Sequence, residues 1–130
     1  LDRMDVQIEV PRTEFEHLAG KYSEESSAAI KSRIEKAREI QQRRYAGRGF
    51  RLNAEMNPRE IRLYCRVDDK GHEILRQAFK TLGLSARGYD RVLKMARTAA
   101  DLEGAESITA QHLAEVICYR GIERRYASAI

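Results

Sequence analysis

The alternation of hydrophobic and polar residues predicts a short β-strand at the start of the chain. Residues 4–10 alternate along the sequence, with Met4, Val6, Ile8 and Val10 on the apolar side, and the pattern stops at Pro11. A single strand cannot satisfy its own backbone hydrogen bonds, so we expect it to pair with a sheet outside the printed sequence. Because the sequence also begins without methionine, we interpret the chain as part of a longer protein whose sheet lies upstream.

After this strand, apolar residues recur at helical spacing and predict about five helices. The first covers about residues 25–45, and a second, capped by Asn57 with Pro58 at its first position, runs to about Cys65. A third begins at an aspartate cap and stops at Gly83. The fourth lies between a serine cap at 85 and a glycine at 104, and the fifth covers residues 110–120. The expected fold class is therefore all-α, a helical bundle preceded by one unpaired strand.

The helical spacing also indicates which side chains face the core. The first helix carries a narrow stripe, and its members are Ile30, Ile34, Ala37 and Gln41. In the third and fourth helices the predicted core residues are Ile74, Leu75, Ala78, Phe79, Leu82, Tyr89, Val92, Leu93, Ala96, Ala99, Ala100 and Leu102. Cys65 and Cys118 are expected to be small buried thiols in helices, because they are too few and too far apart for a disulfide framework.

One segment of the chain carries an excess of positive charge. The net charge of the chain is +4, yet the segment 31–51 holds eight Lys or Arg residues against two glutamates and carries +6. Four of its arginines could neutralise the phosphates of a nucleic acid, namely Arg43, Arg44, Arg48 and Arg51. The alternative is a solvated helix whose basic residues suit its C-terminal dipole. The residues alone leave both readings open.

Other classes of site find little support in the sequence. The three histidines are scattered and the two cysteines are distant, so we expect no metal site. No Ser, His and Asp set or carboxylate pair indicates catalysis, so we do not expect the chain by itself to be an enzyme. No apolar run approaches the roughly 20 residues that span a bilayer, and no signal peptide is recognisable. The expected location is the cytoplasm.

Arg87 breaks a local rule in an otherwise regular helix start. With Ser85 as N-cap it occupies position N2, where a cation costs roughly 0.3–1 kcal/mol against the helix dipole. Arg91, four residues further on, adds a like-charge pair, which Asp90 offsets in part. Because a helix N-terminus and an arginine both attract anions, we interpret Arg87 as one side of a phosphate site. The alternative is an exposed arginine that reaches into solvent.

Several segments resemble the C-terminal part of magnesium-chelatase-like AAA+ ATPases of the YifB/ComM type. In chain order they are LDRMDVQIEVPR, ESSAAIKSRIEKAREIQQRRY, NAEM and LGLSARGYDRVLKMARTAADLEGAESITAQHLAEVICYR. The resemblance covers about residues 1–121, and its most specific part is the run from Gly83 to Gly104. The final GIERRYASAI is not distinctive.

The resemblance implies roles for three residues. Arg87 matches the sensor 2 arginine, which contacts the γ-phosphate of ATP, and Arg91 would support it. Arg3, in the LDR run, matches the arginine-finger position of related ring-forming motors. ATP and Mg²⁺ would bind the full-length parent rather than this part of it. The implied partners are an upstream AAA+ core, which carries the P-loop, and identical subunits of a ring, taken to be a hexamer.

The resemblance also implies a domain division and a function. Residues 1–11 would be a remnant strand of the AAA+ core, 12–23 a linker, 24–121 a helical lid domain and 122–130 a tail. The parent protein would be an ATP-driven DNA motor, such as a branch-migration helicase. Three alternatives stay open: a motor subunit of a metal chelatase, a stand-alone helical module that binds nucleic acid through residues 31–51, and a helical oligomerisation domain.

Overall fold

The computed structural model of the chain describes residues 25–129, with side chains up to Tyr119. This part is helical and contains five α-helices and one 3₁₀ turn. The helices are α1 (Ser27–Arg44), α2 (Pro58–Tyr64), α3 (Asp69–Leu82), α4 (Ala86–Glu103) and α5 (Ala110–Ala129), and the 3₁₀ turn is Asn53–Glu55. The all-α prediction is confirmed for these residues. The predicted strand 1–11 and linker 12–23 lie outside them.

The caps predicted from the sequence set the helix boundaries. The side chains of Asn57, Asp68 and Ser85 each accept a hydrogen bond from a backbone N–H three residues later. At α2 the cap is reciprocal, because the Glu60 side chain also accepts from the Asn57 backbone N–H. Gly83 and Gly104 adopt the left-handed conformation that ends α3 and α4. Local polar chemistry therefore determines where these helices start and stop.

Helix α4 is the centre of the bundle. It contacts α1, α2, the 3₁₀ turn and α5, and α5 in turn contacts α3. The buried side chains form a continuous core, whose members are Tyr45, Met56, Ile61, Cys65, Leu75, Ala78, Leu84, Val92, Leu93, Ala96, Ala100, Ile108, Leu113 and Val116. The position of α4 explains its long apolar face, since almost every other element packs against it.

Several residues expected in the core lie at the surface. Phe79 and Leu102 are about half exposed, because their neighbours Ala78 and Asp101 take the inward positions. Cys118 is exposed, two residues after the buried Val116, so the prediction of two buried thiols is wrong for this cysteine.

Two further differences concern helices at the ends of the bundle. Ile30 and Ile34 are 40% and 42% exposed, because no other described residue covers the first half of α1. Helix α5 continues to Ala129, nine residues past its predicted end, since Gly121 lies inside the helix instead of terminating it. No helix of the described part is long and apolar enough to cross a membrane.

Candidate functional site

The turn between α3 and α4 fixes the start of α4. Gly83 has φ 62°, which reverses the chain direction, and the buried Leu84 anchors the turn in the core. Ser85 is extended, and its Oγ accepts a hydrogen bond from the Gly88 N–H at 3.0 Å. The Ser85 carbonyl accepts from the Tyr89 N–H at 2.9 Å. The first turn of α4 is therefore held both by its cap and by the core beneath it.

Arg87 lies at the exposed end of this turn, as the sequence predicted. Its side chain is exposed, and among the described residues no carboxylate lies within ion-pair distance of it. In an α-helix the amides of the first positions have no intrahelical acceptor, which here applies to Ala86 and Arg87. The guanidinium and these two N–H groups thus lie at the positive end of an 18-residue helix. This arrangement can bind an anion.

Arg91 lies one turn further along α4 and is half-buried. With Lys94 and Thr98 it lines a shallow cleft of about 250 Å³, which the backbone segment at Ala54 closes on one side. Lys94 donates a hydrogen bond to the Ala54 carbonyl at 3.3 Å. Arg91 therefore belongs to the same helix face as the proposed anion site but to a more enclosed position. Arg3, the predicted arginine finger, lies outside the described residues.

The four arginines predicted to bind nucleic acid do not share one environment. Arg43, Arg48 and Arg51 are exposed. Arg43 pairs with Glu39 at 3.8 Å, and the Arg48 guanidinium lies 6.0 Å from the centre of the Tyr64 ring. Arg44 instead points inward, and only 18% of its side chain is exposed. Nucleic-acid binding by these residues stays a prediction, and for Arg44 the structure shows a separate role within the fold.

Arg44 is part of a buried polar network that joins α1 to α4. Its Nη1 donates to Asp101 Oδ2 at 3.0 Å, and its Nη2 donates to the other carboxylate oxygen. Asn53 Nδ2 donates to the same Asp101 Oδ2 at 3.0 Å and also to Thr98 Oγ1 at 3.0 Å. Burial disfavours the charged guanidinium, but Asp101 and Tyr45 together outweigh this effect and raise the pKa of Arg44 above its ordinary value.

Arg97 adds a second cation to this network from within α4. Its Nη2 lies 3.2 Å from Asp101 Oδ1, and its guanidinium donates to the carbonyls of Ala105 and Glu106, each at 3.0 Å. Arg97 Nε has no hydrogen-bond partner among the described residues. Arg44 and Arg97 thus both bind the buried Asp101 carboxylate, and their contacts connect the end of α1, the 3₁₀ turn and the chain after α4 to it.

The sequence contains two signals for this network. Gln41 lies on the predicted apolar stripe of α1, and its side chain accepts a hydrogen bond from the Asn53 backbone N–H at 3.0 Å. Arg97 and Asp101 have opposite charges at i,i+4 next to the buried Ala96 and Ala100. A polar residue on an apolar stripe and an ion pair beside buried alanines both indicate a buried polar contact. Their partners in another helix could not be identified from this spacing.

Metal ligation finds no support in the described residues. Among the side chains described, up to Tyr119, no group of three or more His, Cys, Asp or Glu residues is placed to hold a metal ion. His112 is buried and serves the fold instead: its Nδ1 accepts from the Thr109 N–H at 3.0 Å, and its Nε2 lies 2.8 Å from Glu103 Oε2. These contacts join the start of α5 to the end of α4.

The sequence of the chain is similar to known proteins over most of its length. Residues 24–120 match the model of the C-terminal region of the magnesium chelatase subunit ChlI. The chain is 42% identical over 125 residues to the competence protein ComM of Haemophilus influenzae. It is also 42% identical to the protein YifB of Salmonella typhimurium and 39% identical to YifB of Escherichia coli. Each alignment covers 95% of this chain but 24% of the relative, so the chain spans about a quarter of these proteins' length.

Proposed function

The chain belongs to the family of C-terminal domains of the magnesium chelatase subunit ChlI, of the YifB/ComM type, and on that premise we propose that it forms the lid of an AAA+ ATPase. In this proposal Arg87 contacts the terminal phosphate of a nucleotide held by an AAA+ core upstream in the same protein. Arg91 supports that contact from the next turn of α4. The lid thereby reports whether the terminal phosphate is present.

The observation that carries the proposal is the exposed guanidinium of Arg87 at the N-terminus of α4. A cation there is unfavourable by roughly 0.3–1 kcal/mol while no anion is present. A phosphate reverses the balance, because it interacts favourably with the dipole, with the free amides and with the guanidinium. The packed turn at Leu84 gives this end of the helix a fixed position on the lid. A fixed donor set is what recognition of a small charged group requires.

The residues present fit ATP as the implied ligand. ATP with Mg²⁺ supplies the phosphoryl group whose transfer drives the motor. From this chain, the Arg87 guanidinium and the first amides of α4 would bind an oxygen of the terminal phosphate and orient it. In this proposal the upstream core supplies the P-loop and the site for Mg²⁺. The lid contributes charge and position rather than a nucleophile or a base.

The assembly and substrate of the parent protein extend the same proposal. We place Arg3 at the nucleotide of a neighbouring subunit, as an arginine finger in a homo-oligomeric ring, and we take this ring to be a hexamer in the cytoplasm. One of the similar proteins is named a competence protein. That name and the exposed basic residues of the segment 31–51 support an ATP-driven DNA motor, of the branch-migration helicase type, as the activity of the whole protein.

Substitution of Arg87 tests the nucleotide role. In the full-length protein, Arg87→Gln is expected to lower ATP turnover by on the order of 10³-fold, the scale at which an arginine acts on a transferring phosphate. A fluorescent ATP analogue and the matching ADP analogue give a second readout, since only the ATP analogue should lose affinity. Arg76→Gln is the matched control, because Arg76 is an exposed arginine on α3 that pairs with Glu73. Wild-type turnover in Arg87→Gln would refute the assignment.

A further inference from the structure

We propose that a cleft beside α2 binds the phosphate backbone of a nucleic acid. The cleft has a volume of about 600 Å³, and four arginines line it: Arg48, Arg59, Arg62 and Arg66. We call it the arginine cleft. Only Arg48 belongs to the basic segment that the sequence singled out. The other three come from α2 and the residue after its C-cap, and none of them takes part in the proposed nucleotide site.

The arginine cleft keeps an excess of positive charge within the described part of the chain, because four arginines line it against one glutamate. None of the four arginines has a carboxylate within ion-pair distance there. The one acidic side chain of the lining is Glu60, and its Oε1 already accepts a hydrogen bond from the Asn57 backbone N–H at 2.9 Å. By contrast, some exposed cations of α1 and α3 have acidic partners: Arg33 pairs with Glu25, and Arg76 pairs with Glu73.

An aromatic cluster holds one wall of the cleft. The Tyr64 ring lies edge-on to the Tyr45 ring, with 5.0 Å between centroids, and Phe50 packs against both rings. The Arg48 guanidinium lies over the Tyr64 ring, which restricts the position of its charge. Arg48 therefore faces the arginines of α2 from a loop that is packed on the core. Ordered guanidiniums lose less entropy when they bind an anion.

The spacing of the arginines favours a polymer with a charge on every repeat. Arg59 and Arg62 are three residues apart on α2, a rise of about 4.5 Å, so they lie on neighbouring positions of one helix face. A nucleic-acid strand of duplex DNA carries a phosphate at about every 3.4 Å of helix axis, so the guanidiniums of Arg59 and Arg62 can each reach a phosphate oxygen of one strand. An acidic peptide would need a matching run of carboxylates. Arginine also suits phosphate because its planar fork donates two hydrogen bonds at once.

Binding of a fluorescent 30-base-pair DNA duplex, measured by anisotropy over a salt series, tests the proposal. Arg59→Gln/Arg62→Gln is expected to weaken binding on the order of tenfold and to reduce the salt slope by about 1.8, as two lost phosphate contacts require. Arg33→Gln/Arg76→Gln removes the same charge from exposed arginines outside the cleft, which pair with Glu25 and Glu73. This control should bind as the wild type does. Circular dichroism verifies that each variant folds.

Two further measurements distinguish the arginine cleft from the basic segment 31–51 and from the nucleotide role of Arg87. Arg43→Gln/Arg51→Gln tests the arginines singled out by sequence and should have a smaller effect than the α2 pair. The duplex is titrated without nucleotide, and the nucleotide role of Arg87 is read separately from the ATP analogue, so that failure of the nucleotide role and failure of the arginine cleft are distinguishable. Equal losses in all three double variants, or no binding at low salt, would overturn the proposal. Displacement of the duplex by polyglutamate at equal charge would also overturn it, because the cleft would then recognise acidic chains in general.

Discussion

The guanidinium of Arg44 in α1 and the carboxylate of Asp101 in α4, 57 residues apart in sequence, form two hydrogen bonds that join the two helices. The Asp101 side chain has no exposed surface, and Arg97 and Asn53 also contact its oxygens. A buried carboxylate with three polar partners stabilises a fold only while all of them are present. The pair thus fixes how the first helix and the 3₁₀ turn sit on the central helix.

Removing the negative charge of the Asp101 side chain should be severely destabilising. Asp101→Asn keeps the shape of the side chain but leaves two buried or half-buried guanidiniums facing a neutral amide. We expect the free energy of unfolding to fall by about 3–5 kcal/mol, as for other broken buried pairs. Urea denaturation followed by circular dichroism measures the change. Glu39→Gln is the control, because it breaks the exposed pair with Arg43 and should cost less than about 1 kcal/mol. Similar losses in the two variants would contradict this account of Asp101.

The ends of α4 follow from its sequence, whereas its packing partners do not. Ser85 and Gly104 specified the two ends of the helix, because capping depends on residues within a few positions of each other. The packing partners of Asp101 depend on how α1 lies on α4, which local spacing does not encode. The same limit explains Leu102: its position in the apolar pattern indicated burial, while the tertiary contact of Asp101 turns it outward. Arg87 was predicted correctly as a helix N-terminal arginine, and its ligand stays a prediction.

Arg87→Gln should make the isolated chain more stable while it impairs the parent protein. Loss of the cation from the first turn of α4 removes an unfavourable interaction with the dipole, worth about 0.3–1 kcal/mol in the free energy of unfolding. The reverse is expected for Arg43→Gln, since Arg43 lies in the last turn of α1, where a cation is favourable. Thermal denaturation at low salt measures both. If Arg87→Gln were destabilising, the guanidinium would have a structural role that conflicts with the proposed phosphate contact.

Gly83 should be required for the geometry of the turn before Arg87. Its φ of 62° is left-handed, and a Cβ there would meet no atom within 4 Å, so the cost of substitution is backbone strain alone. Gly83→Ala is expected to cost about 1–2 kcal/mol of stability. Gly83→Asn should cost less, because asparagine tolerates this conformation better than alanine. Denaturation of the two variants in parallel provides the measurement, and an equal loss in both would exclude left-handed strain as the cause.

The two cysteine thiols should differ in reactivity, because Cys118 lies at the surface and Cys65 in the core. Burial raises the pKa of the Cys65 thiol to about 11, so at pH 8 only about one molecule in 1,000 carries the reactive thiolate. Cys118 is exposed, and we expect it to react with iodoacetamide under native conditions while Cys65 does not. Mass spectrometry of digested samples distinguishes the two sites, and Cys118→Ser should remove the fast modification.

The raised pKa of Cys65 also makes stability depend on pH. Because it favours the folded state only while the thiol is protonated, this contribution to the free energy of unfolding is present below about pH 9 and is lost as the pH rises through 11. The charges of Arg44, Arg97 and Asp101 act on the Cys65 thiol. Asp101→Asn loosens the packing of α1 on α4 and should therefore speed modification of Cys65 at pH 8. Rapid labelling of Cys65 in the folded wild-type chain would contradict its burial between α2 and the core.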